Sequence, residues 1–200
     1  MINYSNIFDK EAISYEHYRK LIDNLLAKRQ TTGTDHSEDM LHYAKMNVQR
    51  MNRVDKTTKL SDELMATLSN LKSKYKFLVI TEGWCGDAAQ IVPVIHKIEE
   101  VADRKIELRF VLRDKNLPLI DAHLTNGGRA IPVLLVLDEQ GNLLLPKWGP
   151  RPSELQELMM GWKKEGLEMA EIGEKLHGWY AKDKTVSIQT ELNELLKQLP

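Results

Sequence analysis

The chain has 200 residues, 42% of them apolar, with 28 basic side chains against 29 acidic ones and a formal net charge of -1. This is enough for one domain with a full core and some added elements, but it leaves no broad positive field to grip a phosphate backbone or an anionic lipid surface, so no nucleic acid and no membrane are expected as partners. The opening Met1-Ile2-Asn3-Tyr4-Ser5 lacks the basic start and apolar run of a secretory signal, and the lone cysteine, Cys85, excludes an intramolecular disulfide, so a cytoplasmic protein is expected.

In chain order, Tyr18, Leu21, Ile22 and Leu25 make one apolar stripe at helical spacing and Leu41, Ala44, Val48 and Met51 a second. Between them lies a polar turn with Gly33, ending at Asp35 as a candidate cap. Ser61 is the candidate N-cap of a third helix, running from about Asp62 to Tyr75, with Leu64, Leu68 and Leu71 inward. Phe77-Leu78-Val79-Ile80 then reads as a strand covered on both faces. A helix beginning at Asp87 carries Ile91, Val94, Ile95 and Ile98, with Pro93 inside it as a predicted kink.

The alternation of Ile106, Leu108, Phe110 and Leu112 with charged residues predicts a second strand, parallel to the first across the crossover helix. After a short helix near Leu117 to Leu124, Val133 to Leu137 predicts a third strand. Asp138 to Asn142 then turns the chain into a fourth, Leu143-Leu144-Leu145. Helical patterning returns at Pro152, with one stripe in Leu155, Leu158, Met159 and Trp162, a continuation in Met169, Ile172, Leu176 and Trp179, and a last short one in Ile188, Leu192 and Leu195.

Three segments carry a family likeness: "EGWCGDA", "RAIPVLLVLD" and "NLLLPKWGPRP". In this order they resemble the redox loop, the cis-proline segment and the last strand and turn of the thioredoxin superfamily, more closely its bacterial thioredoxin-like proteins with helical extensions. The resemblance spans residues 60 to 165. It implies an α/β, three-layer α/β/α fold around a mixed four-stranded sheet, flanked by helical extensions over 1–59 and 166–200. Two departures stand out: Ala88 takes the place of the resolving cysteine, and Val79 that of the buried aspartate which moves protons to it.

Cys85 is the candidate catalytic residue, placed where backbone N–H groups and the helix dipole favour a thiolate, with Asp87 opposing them. The resemblance also brings Arg129, Ile131 and Pro132 against the sulfur as substrate-binding residues, Arg129 to steady a thiolate or to hold a carboxylate of a bound thiol or peptide, with a cis bond preceding Pro132. Trp84 is expected to form a partly exposed apolar lip for a substrate, and Glu82 to be a solvated loop carboxylate. His36 and His42 do not form a ligand set, and no metal is expected.

Two function classes follow. One is a thiol-disulfide redox protein acting through Cys85 alone, forming a mixed disulfide with a protein or small-molecule partner that an external thiol such as glutathione releases. No resident cofactor is needed. The other is a non-catalytic protein-binding module whose surface is built from Trp84, Ile131 and Trp148. A further reading, by likeness to single-thiol glutaredoxins, has Cys85 and glutathione holding an iron–sulfur cluster, for which the chain offers no second thiolate.

Overall fold

The computed structural model describes residues 2–200. Helices α1 (Tyr4–Asn6), α2 (Tyr15–Ala27), α3 (Glu38–Thr57) and α4 (Asp62–Ser69) precede the first strand, β1 (Tyr75–Thr81). Then come α5 (Gly86–Val101), β2 (Ile106–Leu112), α6 (Leu117–Asp121) and β3 (Val133–Leu137), and the chain closes with α7 (Ser153–Lys164), α8 (Met169–Asp183) and α9 (Val186–Leu196). It is a mixed α/β chain with helical extensions at both ends.

The sheet has the order β2-β1-β3, with β2 parallel and β3 antiparallel to β1. Central position explains the apolar run of β1, which is buried at every residue except the partly exposed Lys76. β2 lies at the edge and keeps Glu107 exposed and Arg109 partly so, as its alternation predicts. The bare edge of β2 is blunted by one antiparallel bridge, Ile13 exchanging both backbone hydrogen bonds with Phe110 at 2.9 and 2.8 Å.

The sheet has three strands where four are expected. The segment after β3 does turn back, but it pairs only through isolated bridges, Leu143 with Leu137 and Trp148 with Leu134. Between these bridges the outer segment advances five residues while β3 advances three, so its ladder bulges outward. Pro146 falls inside the bulge and has no N–H to donate. The third helix also ends early: Asn70 is the C-cap of α4, and Tyr75, expected as its end, opens β1. Its start is as expected, with the Ser61 hydroxyl accepting the Leu64 N–H. The α3 cap is Ser37, not Asp35, whose carboxylate instead accepts the Ser37 N–H at 2.8 Å.

α5, with Pro93 inside it, is wrapped by α3, α8 and α9, so ten of its residues are buried. One hydrophobic core contains Phe8, Tyr18 and Ile22 from the N-terminal segment, the three strands and α5, and Tyr180, Ile188 and Leu192 from the C-terminal segment. Among the described residues no helix is long and apolar enough to cross a membrane.

Candidate functional site

Cys85 is the N-cap of α5, in extended backbone that leaves its side chain folded over the first turn of the helix. Its sulfur accepts the Ala88 N–H at 3.5 Å and donates to the Ile131 carbonyl at 3.3 Å. The Ile131–Pro132 peptide is cis, and Ile131 is itself buried. The loop before β3 therefore lies directly against the thiol. The thiol is nonetheless closed off from solvent, Cys85 being only 8% exposed. Burial pushes its pKa up to about 12, and the nearby Asp87 charge pushes the same way, outweighing the Ala88 N–H and the more distant Arg151. At neutral pH the thiol therefore rests protonated in this conformation.

Asp87 is buried beside the sulfur and fully engaged. Arg151 reaches it at 2.5 Å and the Tyr180 hydroxyl donates to its other oxygen at 2.7 Å. Arg151 is itself buried and also donates to Gln156 at 2.6 Å. The guanidinium near the thiol thus comes from the turn before α7. Arg129 does not reach it. It is exposed and grips Asp121, at the end of α6, through two bonds of 2.6 and 2.9 Å.

Glu82, expected in solvent, is buried completely at the end of β1. Its carboxylate accepts the Thr32 hydroxyl and the Asp114 N–H, the latter at 3.0 Å, and the same Thr32 oxygen accepts the Gly83 N–H at 2.9 Å. Burial raises the Glu82 pKa despite these bonds. The N-terminal segment therefore wraps the front of the cysteine loop. Trp84 is half-buried: Arg113 stacks over its ring with 4.7 Å to the centroid, and a side chain at Gly33 would come within 2.7 Å of its Nε1.

The C-terminal segment covers the other side. The His177 ring of α8 lies on Gly86, where an added Cβ would meet it at 2.9 Å, and its Nδ1 is 3.3 Å from Gln90 Nε2. Burial, and next the positive charge of Arg50, pull the His177 pKa down to about 4. Trp148 is buried too, its Nε1–H donating to Glu191 of α9 at 2.8 Å. Of the three residues proposed as an apolar binding surface, Ile131 and Trp148 are thus under cover and Trp84 is half-covered.

Arg151, Tyr180, His177 and Thr32 escape a reading of the sequence, since each reaches the cysteine loop from a distant segment. Only Arg151 carried a signal, sitting between Pro150 and Pro152, whose rings restrict the backbone on both sides. Among the described residues no group of three His, Cys, Asp or Glu side chains is placed to hold a metal ion.

A search of curated protein sequences returns no match. Among solved structures, a protein of unknown function from Pseudomonas aeruginosa is similar over 98% of both chains, with a TM-score of 0.65 at 19% identity. An HIV epitope-scaffold is similar over 94% of this chain and all of its own, with a TM-score of 0.56 at 17% identity. Likeness at these identities speaks for the fold alone. A family model described as thioredoxin matches residues 33–168, well over half the sequence and including the cysteine loop, the cis-proline segment and α7, so the chain belongs to the thioredoxin family.

Proposed function

We propose that the protein is a thiol-disulfide redox protein working through Cys85 alone, its thiol resting protonated and covered and exchanging when α8 lifts from the start of α5. The observation that carries this reading is the place of the sulfur. As the N-cap of α5 it already accepts a backbone N–H, and it faces the loop of the cis peptide bond; a thiolate formed there is held by the same N–H and by the helix dipole. Burial and Asp87 oppose ionisation only while the cover is closed. The binding-module alternative is supported less well, because two of its three surface residues are buried.

The exchange balances with one protein sulfur. The Cys85 thiolate attacks one sulfur of a disulfide, forming a new S–S bond as the other sulfur leaves as a thiolate that takes up the proton lost by Cys85. Ala88 offers no second thiol, so an external low-molecular-weight thiol must attack the mixed disulfide and release Cys85. Such a thiol is a co-substrate rather than a resident cofactor. The partners implied are disulfides of proteins or small molecules, in a reducing compartment such as the cytoplasm.

Incubating the reduced full chain with oxidised glutathione and weighing it intact tests this. A single adduct on Cys85 is expected, stable until dithiothreitol is added and absent in Cys85→Ser. No adduct after prolonged incubation at mildly alkaline pH would sink the reading.

A further inference from the structure

Six of the nine arginines form ion pairs with carboxylates, and Arg104 sits in an exposed turn. Arg50 and Arg53 are different. They stand one turn apart on α3, flank one groove and form no ion pair, finding only neutral acceptors. Arg50 donates to the side-chain oxygen Oδ1 of Asn47 at 2.7 Å, and the Asn47 side-chain NH₂ in turn donates to the Gly83 backbone carbonyl at 3.1 Å. Arg53 donates to Gln90 Oε1 at 2.9 Å.

Gln90 is buried on α5, and with its oxygen occupied by Arg53 its NH₂ is the group that faces His177 Nδ1, 3.3 Å away. His177 is therefore an acceptor at that nitrogen, and neutral. The groove is lined by Met46, Gln49, Arg50, Arg53, Gln90 and His177, without one carboxylate. Asp87, the acidic group whose charge acts on His177, is already engaged by Arg151 and Tyr180. Two positive charges are thus held side by side, Arg50 partly buried and Arg53 exposed at the rim; burial and then Arg53 lower the Arg50 pKa. A partly desolvated cation is ordinarily paired, and a forked pair of guanidiniums presents the donor geometry that fits phosphate and carboxylate oxygens.

We infer that the groove between α3, α5 and α8 binds a small oxyanion, the phosphate or carboxylate group of a small molecule, through Arg50 and Arg53, with Gln90 fixing Arg53 and His177 forming the wall toward Gly86. The site is distinct from the cis-proline side of the cysteine and stands whether or not Cys85 exchanges disulfides.

His177 is the reporter. The full chain is titrated at low ionic strength with inorganic phosphate and separately with acetate, following the His177 ring protons by NMR. A saturable shift with half-saturation near or below about 1 mM is expected for at least one anion, weakened about tenfold or more in Arg50→Gln/Arg53→Gln. Saturation by phosphate alone assigns a phosphate group, and saturation by acetate alone a carboxylate. A shift that never saturates and matches that from sodium chloride overturns the site, as does equal half-saturation in the double variant. Should that variant fail to fold by circular dichroism, Arg53→Gln alone decides, since Arg53 is exposed and its loss must still weaken binding.

Discussion

Asp87 adds to burial in keeping the thiol protonated, because it repels a thiolate while it neutralises Arg151. Asp87→Asn keeps an acceptor for Tyr180 but strands a buried guanidinium, which costs about 3 kcal/mol or more. The same change removes a negative charge beside Cys85 and leaves a positive one. Denaturant unfolding should therefore show lower stability while the pH midpoint of Cys85 alkylation falls below that of the unchanged protein. An unmoved midpoint would show that burial alone sets the thiol. The sequence makes Cys85, Asp87 and Pro132 legible because all three lie within or beside short patterned segments. It misassigns the guanidinium, since nothing local distinguishes Arg129, which grips Asp121 outside, from Arg151, which dives under α8. Nor does it predict the burial of Glu82, which depends on Thr32 fifty residues earlier.

The strands and α5 are the most legible elements: β2 and β3 have the predicted limits, and β1 extends its predicted run by a few residues at its ends. Their patterns are local, whereas the missing fourth strand depends on a bulge and a proline that only the pairing partner reveals. α8 is legible as a helix but not as a cover. Its seal includes His177, whose pKa is pulled from 6.5 to about 4, below the value of an exposed histidine. An opened α8 therefore binds a proton that the closed form excludes. The closed form loses stability as pH falls from about 6.5 to about 4, by up to about 1.4 kcal/mol per pH unit, and keeps it at neutral pH and above. Amide exchange along Met169–Asp183, corrected for intrinsic rates, should accelerate over that range and should not do so in His177→Gln. Equal acceleration in both proteins would remove His177 from the seal.

The whole chain shares one core, with α2 against the β2 edge and α9 packed on α4 and α5. The extensions are therefore predicted to unfold together with the sheet. Fluorescence from Trp84, Trp148, Trp162 and Trp179 and helical circular dichroism should trace coincident denaturant transitions. Separated midpoints would mean that an extension melts alone. A further consequence comes from pairing a sealed site with a single sulfur. On the proposed reading, every covalent event on that sulfur is preceded by an opening of the chain, and no second thiol competes for the reagent. The side chain thus works as a molecular stopwatch: with a fast reagent its labelling rate counts excursions of α8, and with a slow one it weighs the open population against the closed.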